Sequence, residues 1–144
     1  TYWRNGDWAA AGAGAHGHLR SMQAAVDSPR YVDRRWGNVR AVSAYIARAR
    51  AGGTVEAFEA EAEQLAPRTA MGETMMLGLR LVHEGVPHAR FARRHGADPR
   101  DVFAAELGEL VGEGFLEVDE ARTRATRLGL AMGDRVAERF VGAG

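Results

Sequence analysis

Apolar positions along this chain change their period from one stretch to the next. In VRAVSAYIARARAGG, Val42, Tyr45, Ile46 and Ala49 fall on one side of a 3.6-residue turn, and Gly52-Gly53 closes the element. The most regular helical pattern opens at Leu65-Ala66-Pro67, with proline in the first turn. It runs through Met71, Met75, Leu79 and Leu81 to about His83, and Gly85 ends it. PHARFARRHG predicts a shorter helix stopped by Gly96. DPRDVFAAELGELVGEG predicts a third, capped by Asp98, with Val102, Phe103, Leu107, Leu110 and Val111 as its apolar face. FLEV and TRAT read as two short strands around Asp119-Glu120. A last helix from Thr126 or Arg127 to Phe140 carries Leu128, Leu130, Met132, Val136 and Phe140. Helix, helix, helix, hairpin, helix is close to a winged-helix order.

Upstream the texture is different. Residues 1–20 are aromatic and rich in glycine and alanine, and Trp8 to Ala13 predicts a short buried strand of small residues. SPRYVDRRWGN reads as a polar connector broken by Pro29 and Gly37. VEAFEAEAEQL alternates apolar and acidic residues and fits a strand-like connector or a frayed helix. The expectation is an α+β chain, mainly α, in three parts: residues 1–20, a connector with one helix at 21–66, and a helical unit at 67–144.

Composition narrows the chemistry. The 144 residues suit one ordinary domain or one domain plus part of another, and the formal charge is zero. All positive charge is arginine. The sequence has no cysteine, so it supplies no disulfide, thiolate zinc site or iron–sulfur ligand. No apolar run is long enough to span a bilayer, and TYWRNGDW has no signal-peptide pattern; it begins as if cut from something longer.

Several features are candidates for function. A third helix of a winged-helix array would enter a DNA groove, but this one carries Asp98, Asp101, Glu106, Glu109 and Glu113 against Arg100. Carboxylates oppose approach to phosphates, so no nucleic-acid partner is expected. Arg122, Arg124, Arg127, Arg135 and Arg139 form either a patch for acidic groups, such as tetrapyrrole carboxylates or a partner protein, or a solvated face. His16 and His18 would share one side of a strand, yet no carboxylate stands close by in sequence to complete a metal site. His83, His88 and His95 lie near helix ends, and Met75-Met76 reads as core filling. GAGAHG, residues 12–17, matches a dinucleotide fingerprint in its spacing. Asp33 sits at the right distance, but it lacks an apolar strand, and HGHLRSMQ is a weak helix opening.

The N-terminal string gives a better account of those glycines. Tyr2-Trp3-Arg4-x-Gly6-Asp7-aromatic, followed by Gly12-x-Gly14-Ala15-His16-Gly17, resembles the radical S-adenosylmethionine heme chaperones. These are the HemW group, relatives of the oxygen-independent coproporphyrinogen III oxidases. Arg35-Trp36-Gly37-Asn38-Val39-Arg40 followed by Tyr45 resembles the group's RWWNVR…Y stretch, with Gly37 in place of a second Trp. Met76-Leu77-Gly78-Leu79-Arg80-Leu81, Glu113-Gly114-Phe115-Leu116 and Thr126-x-x-Gly129 look like its C-terminal domain. SMQAAVDSPRYVD lengthens the loop between the glycines and the RW-x-NVR stretch.

The resemblance implies that residues 1–20 are the closing segment of a radical-SAM barrel and that 67–144 form a winged-helix-like C-terminal domain. It implies heme, a [4Fe–4S] cluster and S-adenosylmethionine in the whole protein, with the cluster cysteines outside this chain and no radical activity in it. Gly12, Gly14, Ala15 and His16 would face S-adenosylmethionine, although His16 also fits a buried strand-end histidine satisfied by a carbonyl. Tyr2 and Trp3 would be what this sequence holds of a heme-binding HNxxYW motif. The implied function is cytoplasmic heme binding and delivery to acceptor proteins. The alternative is coproporphyrinogen decarboxylation in porphyrin biosynthesis; the RW-x-NVR and GAHG stretches resemble the chaperone branch.

Overall fold

The computed structural model describes residues 2–23 and 30–142. They separate into two compact units, one from Gly6 to Ala66 and the other comprising Tyr2–Asn5 with the chain from Pro67 onward. In all, the chain is a mixed α/β protein with roughly half its residues in helices.

The first unit is built on an antiparallel sheet of β1 (His16–Gln23), β2 (Arg30–Asn38) and β3 (Glu59–Gln64), in that order. The stretch expected to be a polar connector is thus partly β2. Its strand character comes from Val32 and Trp36, which are buried two turns of the pleat apart. Trp36 stands in register with Gly17 on β1 and Ala62 on β3, so one large ring lies between two small residues. A Cβ on Gly17 would overlap the six-membered ring of Trp36, so the glycine is required by close approach. Residues 24–29, which include Pro29 and six of the thirteen residues of the lengthened loop, lie outside the described residues.

The strand expected over Trp8–Ala13 is reduced to a single antiparallel bridge between Trp8 and His18. The glycines are the reason. Gly12 and Gly14 have φ of 106° and 69°, which turns the chain just before β1 begins. With β2 on one edge and Trp8 on the other, both antiparallel, β1 has no parallel neighbour of the kind a βα barrel provides among the described residues. The α1 helix (Val42–Ala51) buries none of its residues; Val42 and Ile46 are exposed, while Tyr45 packs on Phe58 at 5.0 Å. The acidic alternation after it resolves into a short 3₁₀ turn and then β3, an edge strand whose glutamates meet arginines of β2.

In the second unit α2 (Pro67–Gly78) stops earlier than the apolar period implied, because the backbone tightens. The amides of Arg80 and Leu81 bond three residues back, to Leu77 and Gly78. β4 (Val86–Pro87) and α3 (His88–His95) follow, the latter ended by Gly96 in the left-handed region. The expected third helix is divided into α4 (Pro99–Val102) and α5 (Ala104–Gly112) at Phe103, whose φ of −118° turns its ring inward. The hairpin of β5 (Leu116–Val118) and β6 (Arg122–Ala125) forms as the sequence suggested, and β4 adds to β6 to give the order β4-β6-β5. The last helix is also divided, into α6 (Arg127–Ala131) and α7 (Gly133–Val141), by non-helical Met132.

Met75, Phe91, Phe103, Leu107, Leu110, Val136 and Phe140 make the centre of this unit. Phe103 meets Phe140 edge to face at 5.2 Å, the geometry preferred by ring quadrupoles. Gly72 on α2 lies so close to α7 that a Cβ there would overlap the carbonyl of Phe140.

Candidate functional site

The glycine turn is held from within the first unit. Gly12 donates its amide to the Tyr45 hydroxyl at 3.0 Å, and Gly14 donates to the carbonyl of Val39 at 2.9 Å. The Ala15 amide reaches the Gly12 carbonyl, which also accepts from Asn38 Nδ2 at 2.9 Å. Tyr45, Asn38 and Val39 belong to the stretch singled out beside the glycines by sequence, and this turn is where they meet. The amides of Gly12, Gly14 and Ala15 are therefore occupied and do not form an open cradle for an anion. What the turn offers a ligand is small side chains and positive φ, hence close approach.

The sheet explains the two histidines. His16 and His18 share a face of β1, as their spacing required, and strand pairing brings a carboxylate to each. His18 is buried, with Nε2 3.1 Å from Asp33 Oδ1, itself buried; the Trp8 ring covers it edge-on at 4.9 Å. His16 is exposed and lies 3.8 Å from Glu61, a loose surface pair worth little. His16 is thus not a buried strand-end histidine. Asp33, read from sequence as a misplaced nucleotide acid, is the partner that makes burying His18 tolerable. No local pattern could reveal this, because Asp33 reaches His18 only through the β1–β2 register. Among the described residues no group of three or more His, Asp or Glu is arranged to hold a metal.

Tyr2 and Trp3 belong to the second unit, so the two sets of predicted site residues fall in different units. They sit on a 3₁₀ turn, Tyr2–Arg4, in edge-to-face contact at 5.3 Å, with Tyr2 56% and Trp3 47% exposed. The turn is clamped by its next residues. Asn5, buried and at φ 48°, donates from Nδ2 to Thr74 Oγ1 at 2.8 Å. That hydroxyl donates to the Ala70 carbonyl at 3.0 Å and lies 2.8 Å from His95 Nε2. One hydroxyl with one proton and two lone pairs satisfies all three contacts when His95 donates. Arg4 pairs with Glu84 at 2.9 Å, and Arg90 joins the same carboxylate. The hydrogen bond from Arg4, with that from Arg90, holds the Glu84 carboxyl below its ordinary range.

Trp3 also walls a pocket of about 380 Å³. Its other walls are Met76 of α2, Leu79 and Leu81 after it, and Leu130, Gly133 and Val136 of α6–α7. Arg80 lies at its rim, 3.5 Å from Asp134. The volume is in the range of small-molecule sites, and the mostly apolar lining with a single convergent charge is their usual composition.

Four of the five arginines at the end of the chain, Arg122, Arg124, Arg135 and Arg139, have partners within their own unit. Arg135 bonds Glu113 at 2.8 Å and Arg139 bonds Glu109 at 2.9 Å, so α7 pairs with two of the five acids that weighed against DNA binding. Arg124 faces Glu117 and Asp119, and Arg122 reaches the His83 carbonyl. Of the histidines near helix ends, His83 is exposed, whereas His88 and His95 are packed. His88 opens α3, buried, with Nε2 3.0 Å from Thr123 Oγ1 and Nδ1 3.2 Å from the Glu120 carbonyl. Among the described residues no helix is long and apolar enough to cross a membrane.

Residues 65–132 match the family described as the HemN C-terminal domain. Over 141 residues the chain is 27% identical to the heme chaperone HemW of Lactococcus lactis subsp. lactis (strain IL1403), covering 98% of this chain and 32% of that protein. Over 142 residues it is 28% identical to the heme chaperone HemW of Bacillus subtilis (strain 168), covering 99% of this chain and 33% of that protein. The chain thus spans about a third of the length of the curated relatives it matches. Among solved structures it is similar to coproporphyrinogen III oxidase (HemN) from Escherichia coli, described as a radical SAM enzyme. That likeness has a TM-score of 0.50 at 13% identity, over 76% of this chain and 26% of that one.

Proposed function

From a chain that belongs to the HemW/HemN family and carries its C-terminal domain, we infer a part in binding heme and passing it to acceptor proteins. The observation that carries this reading is the Tyr2–Trp3 pair. Two large aromatic rings are held about half exposed, next to one another, by Asn5 on α2 and by Arg4 on Glu84. Exposed rings fixed by buried hydrogen bonds suit a flat apolar ligand, since stacking does not then have to order the segment.

The reading places heme, a [4Fe–4S] cluster and S-adenosylmethionine in the whole protein and the protein in the cytoplasm. This chain has no cysteine, so any thiolate ligands of the cluster come from outside it. Gly12, Gly14, Ala15 and His16 would border S-adenosylmethionine by close approach of backbone and by the exposed imidazole of His16, not by free amides. The arrangement of the second unit is what we read as winged-helix-like, used here for covering and recognition.

Heme titration of the full natural protein, followed by an assay of coproporphyrinogen turnover, tests the reading. Retention of heme and its transfer to an apo-acceptor, without turnover, is the expected result. Decarboxylation of coproporphyrinogen would assign the protein to the oxidase branch instead.

A further inference from the structure

Of the five arginines first considered for an anionic ligand, Arg135 and Arg139 are engaged with glutamates of their own unit at 2.8 and 2.9 Å, and Arg124 makes a looser 3.5 Å contact with Glu117. Arg80 differs from these in lining an apolar pocket. Its Asp134 partner lies 3.5 Å away with a side chain 95% exposed, a contact of the weak surface kind. Its guanidinium borders a pocket whose remaining walls are almost wholly apolar. A guanidinium at the edge of an apolar cleft selects a ligand with an apolar body and a carboxylate at its margin. Trp3 forms another wall, an aromatic ring about half exposed, which favours a flat body over a branched one.

We propose that this pocket seats one apolar edge of a tetrapyrrole, with Leu79, Leu130 and Val136 against the ring and Arg80 on a propionate carboxylate. The proposal rests on the reading of the chain as part of a heme-handling protein and adds the seat. The C-terminal unit then supplies part of the binding site itself and does not only cover one.

Gly133 allows the seat to be blocked without breaking the fold. It borders the pocket, opens α7, has an ordinary φ, and a Cβ built on it has no atom within 4 Å. A leucine there projects into open space and favours helix over glycine. Hemin and hemin dimethyl ester are titrated into the full natural protein, its Gly133→Leu variant and its Arg80→Gln variant, following the Soret band. Melting temperature and far-ultraviolet circular dichroism establish that both variants are folded. Gly133→Leu is expected to weaken hemin binding about tenfold or more. Arg80→Gln is expected to weaken it about three- to fivefold while leaving the ester, which has no carboxylate, unchanged. Wild-type affinity in folded Gly133→Leu overturns the seat and leaves the heme-handling reading standing. Equal losses for hemin and ester in Arg80→Gln overturn the carboxylate contact. Failure of the unsubstituted protein to bind hemin overturns both the seat and that reading.

Discussion

Asp98 shows how much a single side chain does in this fold. Its carboxylate caps α4 by accepting the Arg100 amide at 2.8 Å, and the Arg100 guanidinium closes back on it at 2.7 Å. The Arg100 hydrogen bonds hold its carboxyl at about 2, below its ordinary 3.8. A group whose pKa is lower when folded adds stability above its unfolded value and loses it as pH falls toward the folded one. Asp98→Ala should therefore cost about 1 kcal/mol near neutrality. In melts taken from neutral pH downward, the gap between the two proteins should close between about 3.8 and about 2. A gap that stays constant to the acid end would show that the cap does not depend on charge.

At the scale of elements, glycines divide into those that space helices apart and those that merely weaken them. Gly72 admits α7 to the surface of α2, and a Cβ there would strike the Phe140 carbonyl; Gly108, inside α5, faces open space. Gly72→Ala should lose about 1–3 kcal/mol despite the better helix former. Gly108→Ala should gain about 0.5–1 kcal/mol, read by the same denaturant titration. Equal signs for the two would refute the close approach. This contrast also marks what could be read in advance. The apolar periods located α2, α3 and the β5–β6 hairpin, because those signals are local. The breaks at Phe103 and Met132 were invisible, since both residues continue an apolar stripe and only packing turns their backbones. β2 is hidden in the sequence because its buried positions include Asp33, on the face opposite Val32 and Trp36, and Asn38, polar residues made tolerable by His18 and the glycine turn. The candidate site was legible as motif and illegible as geometry. Tyr2-Trp3 and GAGAHG stood out, but neither Arg80 nor the pocket behind Trp3 leaves a local pattern.

At the scale of the molecule, the two units are unequally supported. The second encloses a continuous core from Met75 to Phe140, whereas the first buries chiefly Val32, Trp36, Val39 and Leu65 under a sheet with a charged edge. Since opening free energy follows buried apolar contact, amides of β1 and β2 should exchange with solvent faster than those of α2, α5 and α7. Hydrogen exchange read by mass spectrometry measures this directly. Equal protection across the units would mean that they open together.

The clamp at Asn5 has a consequence for the protein's age. Asn5 is followed by Gly6, the neighbour that least hinders ring closure of an asparagine side chain onto the backbone and its conversion to aspartate. In the folded unit that amide is buried, with its nitrogen committed to Thr74. Conversion would replace a donor with an acceptor opposite a hydroxyl already donating to Ala70, and the Tyr2–Trp3 segment would lose its hold. Peptide mapping of protein stored at mild alkaline pH should find Asn5 intact in the native fold. In a Thr74→Val variant the same site should convert steadily. The segment that presents the two aromatic rings is then also a timer, stopped for as long as Thr74 holds it.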